Sequence, residues 1–268
     1  MKPGYEYIDG IKCYAPELAY QNEHYPEEMF ERLMRIEDRH FWFQSRNLCI
    51  KSLMRRFGQP DASKTFLEIG CGTGVVLKHL SSSSAIKLSG AEIHLAGLRH
   101  ARKRLPDVEF LQLDALKMPF DSAYDAVGMF DVLEHIDEDV TAIRNVHKIL
   151  VPGGLFFISV PQYSWMWSKA DDEAFHKRRY SRKELKEKLH QSGFRVLYCG
   201  SFMFTLFPFM YVSRILSKRR EGKGTELEMN PFINYVFRFL SRLDVLLINA
   251  GFQLPFGGSI MCVAQKIS

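Results

Sequence analysis

The chain has 268 residues, a formal net charge of +5 and a pI near 8.9, with 46% hydrophobic and 13% aromatic residues. That size suits one large α/β domain or a domain with an insertion, and the mild basicity is a weak argument for nucleic acid. Five cysteines, at 13, 49, 71, 199 and 262, are scattered without a C-x-x-C pair. This argues against a disulfide framework or zinc ribbon and fits a reducing compartment. No metal-ligand set stands out. No apolar h-region follows Met1, and no run of 18 apolar residues occurs. The expectation is a cytoplasmic chain without a membrane span.

Tyr5 to Tyr14 reads as a hairpin turning at Asp9-Gly10 and packing as an N-terminal arm. Glu27 to Arg39 is helical by period, with Met29, Phe30, Leu33, Met34 and Ile36 on one face. His40-Phe41-Trp42-Phe43-Gln44-Ser45-Arg46 opens a second helix, which Gly58-Gln59-Pro60 ends. Its aromatics read either as core or as a lid over a ligand, with Trp42 near an acceptor.

Thr65-Phe66-Leu67-Glu68-Ile69-Gly70-Cys71-Gly72-Thr73-Gly74 organises the rest. An apolar strand runs into three alternate glycines, and Val75, Val76, Leu77 and Leu80 continue at helical spacing. Glycines serve where backbone must turn sharply and a ligand must approach it, and the helix start beyond offers free N–H groups. The dinucleotide fingerprint G-x-G-x-x-G is not met, because Val75 stands where its third glycine belongs.

Ile86 to Glu92 is the second strand, and Glu92 follows Gly70 by 22 residues. An acid at that separation accepts hydrogen bonds from ribose hydroxyls, because a carboxylate is acceptor-only and can hold two hydroxyls. His94 to Leu105 is a basic-sided helix. Val108 to Leu113 is the third strand, leading into Asp114-Ala115-Leu116. Tyr124 to Asp131 is the fourth, leading into Val132-Leu133-Glu134-His135-Ile136. A helix through Ile143, Val146, Ile149 and Leu150 stops at Pro152-Gly153-Gly154, and Leu155 to Val160 is the fifth strand. Five strands alternating with helices predict an open parallel sheet with ligands at the strands' carboxyl ends.

The E-x-G-x-G-x-G spacing, Glu92, Asp114 and the Leu133-Glu134-His135 continuation resemble the class I S-adenosylmethionine-dependent methyltransferases. Within that group they are similar to the ubiquinone-biosynthesis O-methyltransferases. The resemblance implies a seven-stranded Rossmann-like sheet with helices on both faces. It places S-adenosylmethionine against Glu68, Gly70, Cys71, Gly72, Gly74, Glu92, Ile93, Asp114, Ala115, Phe130 and Leu133. Asp114 would meet the adenine amino group. Arg46, in the helix before the glycine turn, would pair with the methionine carboxylate. His135 and His176 are the candidate bases, since a hydroxyl acceptor needs one.

Pro161 to Tyr180 is a long aromatic and charged loop expected on the acceptor side, with Tyr163, Trp165, Arg179 and Tyr180 as candidate contacts. Ser181-x-x-Glu184 is a capping box for a helix that Gly193 closes. Phe194 to Cys199 and Ser259 to Gln265 read as the last two strands, and an apolar insertion separates them. The layout expected is an N-terminal arm and lid over 1–60, a cofactor-binding core over 61–200, a helical insertion over 201–258, and a final core strand over 259–268. The insertion reads as a packed cap. Alternatively, 202–220, apolar beside Lys218-Arg219-Arg220, docks on a membrane or takes up a lipid-linked substrate. The function expected is methyl transfer, O-directed, to a small-molecule or lipid- or glycan-linked acceptor. A second reading keeps the cofactor without turnover and makes the insertion a partner surface. The Asn/Asp-Pro-Pro-Tyr type motif of nucleic-acid enzymes is absent after the fourth strand, so no nucleic acid is expected.

Overall fold

The computed structural model describes residues 4–20, 26–59, 61–82, 85–217 and 229–267. Pro60 and Lys218-Arg219-Arg220, named above, lie outside these residues. In chain order, a hairpin of β1 (Glu6–Ile8) and β2 (Ile11–Cys13) precedes α1 (Glu27–Ile36) and α2 (Phe41–Leu53). Then follow β3 (Thr65–Ile69), α3 (Val75–Ser81), β4 (Lys87–Glu92), α4 (Leu95–Arg104), β5 (Glu109–Gln112), β6 (Tyr124–Phe130), α5 (Asp139–Ile149) and β7 (Leu150–Pro161). The chain closes with α6 (Lys169–Glu173), α7 (Arg182–Gln191), β8 (Phe194–Phe202), α8 (Phe207–Ser217), α9 (Pro231–Asn249) and β9 (Ser259–Lys266).

Among the described residues, nine strands form one sheet in the order β1-β2-β5-β4-β3-β6-β7-β9-β8. The count of seven is corrected to nine, because the N-terminal hairpin joins the sheet instead of packing outside it. Asp9 and Gly10 both take positive φ, as a tight hairpin turn with the strands' own twist requires. The turn folds β1 back on β2, and β2 pairs in parallel with the edge of β5. From β5 through β7 the sheet is parallel; β9 enters antiparallel between β7 and β8. Phe202 and Pro161 both lie opposite Ser259, so β8 ends on the same side of the sheet as the parallel strands.

Strand alternation splits the core in two. Phe66, Phe110, Phe130 and Phe157 face one side, with α2, α3, α4 and α9. Leu67, Leu111, Val127 and Phe156 face the other, with α5 and α7. Side chains one residue apart thus feed opposite layers, as a strand period of two dictates, and covered faces explain the near-continuous apolar runs.

The start of α2 and α9 meet. Asn234 of α9 accepts the Phe41 N–H at 2.8 Å and donates to the Arg39 carbonyl at 3.0 Å. Ser45 and Ser241 hydroxyls lie 2.6 Å apart, and Phe41 packs edge-on against Phe237. Asp244, fully buried, accepts the N–H groups of Phe204 and Thr205, fixing the turn between β8 and α8. Ser201 and Phe202, placed in the insertion above, are the last two residues of β8.

Candidate active site at the strand tips

β3 ends in a turn whose shape only glycine tolerates at its first position. Gly70 has φ +72°, and a Cβ there would run into the Val132 side chain. Gly72 has φ +51°, yet a Cβ there would meet nothing within 4 Å. The backbone at Gly72 therefore borders open space, the close-approach arrangement that a ligand cradle needs. Gly70 and Cys71 donate their N–H groups to the Ala91 carbonyl of β4, which ties the turn to the neighbouring strand end. The Cys71 sulfur faces inward toward Gly90, and burial pushes its thiol up, so this residue offers the cradle backbone alone.

Glu92 closes β4 beside this turn. Its carboxylate accepts the Gly72 N–H at 3.0 Å, and the N–H groups of Ile93 and His94 at 2.8 and 3.2 Å. Asp114, just past β5, is tied by the Leu116 N–H at 2.8 Å, and the Ala115 carbonyl accepts from Asn145. Phe130 is 6% exposed at the end of β6. Glu68 lies beneath the turn. Burial pushes its carboxyl up to about 8, with Arg46 opposing, and its Oε2 has no hydrogen-bond partner.

Arg46 sits where α2 crosses the strand tips. It is buried, stacks under Trp42 with 4.7 Å to the ring centre, and donates to Asp131 Oδ2 at 2.6 Å. Asp131 takes φ +57°, the kink that turns the chain off β6. The structure thus brings Trp42, Arg46, Glu68, Phe130 and Asp131 to one end of the sheet.

Leu133 and Tyr180 both lie inside the core. Leu133 is fully buried in the core, and the Tyr180 hydroxyl stands 3.2 Å from its carbonyl, so it lines no open surface. Tyr180, expected to touch an acceptor, is itself fully buried and donates to Asp139 Oδ2 at 2.7 Å; burial and that carboxylate push its hydroxyl far up. Arg179 is drawn inward as well. It makes two hydrogen bonds to Asp171, at 2.7 and 2.9 Å, and a third to the Gln162 carbonyl. Tyr163 and Trp165 stack with ring centres 5.3 Å apart and meet Phe207 of α8 edge-on.

The two histidines come together: their ring centres are 4.9 Å apart. Burial, with His176 beside it, pushes His135 down to about 4, so it is neutral near pH 7. His176 Nδ1 lies 2.8 Å from Asp171 Oδ1. A carboxylate accepts only, so Nδ1 carries a proton in this contact. Burial alone would push the Asp171 carboxyl up; the hydrogen bonds from His176 and Arg179 outweigh it and hold it well below the usual carboxylate range.

Several structurally central groups carried no sequence signal. Glu37, at the end of α1, is buried and pairs with Arg104 at 2.5 Å, and it accepts from the Thr73 hydroxyl of the glycine turn. Gly97 lets α4 close on the turn: a Cβ there would meet the Phe30 ring, the Gly72 carbonyl and Glu92. Asp131 read as the last residue of the fourth strand and Glu134 as part of the Leu133-Glu134-His135 continuation, while Asp171 read as a loop acid.

The chain matches the Methyltransferase domain family over residues 37–198. A Mycolicibacterium smegmatis protein named as a probable S-adenosylmethionine-dependent methyltransferase is 28% identical over 60% of this chain and 62% of its own length. The ubiquinone biosynthesis O-methyltransferase of Pseudomonas paraeruginosa is 30% identical over 37% of this chain and 44% of its own. The chain spans about three fifths of the length of the first of these curated relatives. Among solved structures, the Haemonchus contortus phosphoethanolamine N-methyltransferase 2 in complex with S-adenosyl-L-methionine superposes with a TM-score of 0.60. It is 17% identical and covers 92% of this chain and 59% of that one, a likeness of fold alone. With more than half of its residues matched, this chain belongs to the methyltransferase domain family, the class I S-adenosylmethionine-dependent methyltransferases.

Proposed function

We propose that the chain transfers a methyl group from S-adenosylmethionine to an acceptor hydroxyl on a small or lipid-linked molecule. The observation that carries this reading is the meeting of Gly72, open to a ligand, with the Glu92 carboxylate 3.0 Å from its N–H. The residues fit the cofactor chemically. Glu92 and Asp114 are acceptors for hydroxyl and amino donors; Gly70 to Gly74 offer backbone to close approach; Arg46 is a buried cation for a carboxylate. When bound, S-adenosylmethionine supplies an activated methyl on sulfur, so the protein needs no leaving-group chemistry.

The protein's own work is to hold the acceptor in line, exclude water and take a proton. Positioning of that kind is worth effective molarities on the order of 10^5–10^8 M. His135 and His176 are the residues to receive the hydroxyl proton, His176 through Nε2, the nitrogen that its Asp171 contact leaves free. Trp42, Tyr163 and Trp165 border the acceptor. The O-methyltransferase relative supports oxygen as the target.

The outer face of α9 supports the lipid-linked part. Phe232, Tyr235, Phe239, Leu243 and Leu246 recur at helical spacing and are 74%, 62%, 61%, 44% and 62% exposed. Such a stripe on a helix whose other side packs on α2 suits an interfacial contact. No described helix is long and apolar enough to cross a membrane.

Isothermal titration with S-adenosylmethionine tests the core of the reading. Wild type is expected to bind at one site. Glu92→Ala, which removes an acceptor from three N–H groups, is expected to weaken binding about 10–100-fold, from roughly 1.5–3 kcal/mol for charged hydrogen bonds. A wild-type chain that takes up no S-adenosylmethionine ends it.

A further inference from the structure

We propose that Glu134, His135 and His176 form a binding site for a first-row divalent cation of the zinc or manganese class, set between the strand tips and the acceptor loop. Each residue offers one ligand atom, and the three atoms lie within 4.8 Å of one another. His176 Nε2 is 3.9 Å from Glu134 Oε1.

The decisive feature is the state of Glu134. Its side chain is fully buried, and neither carboxylate oxygen has a hydrogen-bond partner. The cations nearby are committed elsewhere. Arg46 holds Asp131, Lys177 holds Asp137, Arg178 lies by Asp139, and Arg179 holds Asp171.

The facing group deepens the problem. Asp171 occupies the Nδ1 side of His176, so Nε2 is the nitrogen left facing the Glu134 carboxyl. At 3.9 Å the two are too far apart for a hydrogen bond, and an ion set between them would take both as ligands. A carboxylate on the far nitrogen is also how metal-ligating histidines are oriented in general, and Arg179 and Ser168 anchor that carboxylate in turn. The second imidazole, His135, stands edge-on to the first.

Two histidines and one carboxylate form a recurrent donor set for such ions, and three protein ligands leave a position open. Metal–ligand bonds of about 2.0–2.2 Å place ligand atoms roughly 3–3.5 Å apart, so binding draws the three side chains inward by about an ångström. His176 is 16% exposed at its side chain, so the open position faces the acceptor loop. Resting on the proposed function, an acceptor oxygen bound there would be held and made more acidic; in the metal-loaded chain both imidazoles are ligands, so the proton passes to solvent rather than to His135 or His176.

The test uses the full chain, stripped with a chelator and titrated with Zn2+ alone and with Mn2+ alone, with Co2+ as a visible-absorption probe. One equivalent per chain and a cobalt d–d band are expected. Glu134→Gln and, separately, His176→Gln should each weaken uptake about 100-fold. Circular-dichroism melting near the wild-type midpoint shows that a variant folds; if Glu134→Gln does not, His135→Asn carries the same comparison. No stoichiometric uptake by wild type, or uptake unchanged in a folded variant, overturns the site. S-adenosylmethionine titration of the stripped chain is read separately, so failure of cofactor binding is not mistaken for failure of the metal site.

Discussion

Along residues 65–131 the chemistry-bearing groups stand on strand ends or on the turn just after them, and local backbone holds most of them. Glu92 is fixed by Gly72, Ile93 and His94, and Asp114 by Leu116. From Glu134 to Leu254 the pattern reverses. Asp139 gathers Tyr180, Lys188 and Arg178; Asp171 gathers His176, Arg179 and Ser168; Asp244 reaches back to Phe204 and Thr205. One half is a backbone device, the other a set of buried carboxylates each binding loops together. Changes in the first should therefore register in ligand affinity, and changes in the second in stability.

Arg179→Met is the sharpest way to break that division. Asp171 and Arg179 are 1% and 7% exposed at their side chains. Removing one member of a buried pair strands the other charge, at a cost of about 3–5 kcal/mol. The low end is expected, because His176 and Ser168 still hold Asp171. Denaturant unfolding should show this loss while S-adenosylmethionine affinity stays within about twofold, which is roughly 0.4 kcal/mol. A tenfold fall in affinity with stability intact would erase the distinction between the halves.

Glu68 sharpens the comparison from the cofactor side, since it is the buried carboxylate there without a full set of partners. Its folded-state value, about 8, lies above the ordinary 4.5. Between these values the folded chain holds more protons than the unfolded one, so stability falls as pH rises through that window. The largest slope is about 1.4 kcal/mol per pH unit. Wild type should thus lose about 2–3 kcal/mol more than Glu68→Gln between roughly pH 5.5 and 7.5, measured by urea unfolding at each pH. Parallel curves for the two proteins would mean that Arg46 already neutralises Glu68 in its ionised form.

The same contrast explains what was legible in the sequence. Gly70, Gly72 and Glu92 announce themselves because their demand is local: a backbone turn, and an acid at a fixed strand spacing. The parallel sheet follows from apolar runs separated by helical periods. The hairpin was legible in Asp9-Gly10, but its docking on β5 was not, because strand pairing at an edge leaves no periodic trace. Tyr180 and Arg179 looked like pocket residues for the same reason. A tyrosine beside basic residues reads alike whether it faces solvent or Asp139, and only the distance in sequence to its partner separates the two. Glu37, which clamps the glycine turn through Thr73 and Arg104, looked like the charged tail of a helix.

The smallest effect on stability is expected where the insertion faces outward. Phe239 and Leu246 stand on the exposed stripe of α9, while Ser241, Asp244 and Ile248 on the opposite side are buried. Phe239→Ser with Leu246→Ser removes no core contact, so each change should move stability by no more than about 0.5 kcal/mol. The cleft should be equally untouched, and S-adenosylmethionine should bind as in wild type. What should change is sedimentation with anionic phosphatidylglycerol vesicles, because an interfacial helix depends on the apolar area it inserts. Arg238 and Arg242 remain in the variant, so electrostatic attraction alone is left as an internal control. If vesicle binding survives the double substitution but disappears in high salt, the contact is made by charge and the aromatic stripe has another partner. Loss of binding at low salt, with stability and cofactor affinity preserved, would place acceptor delivery on a surface that shares no residue with the cofactor cleft.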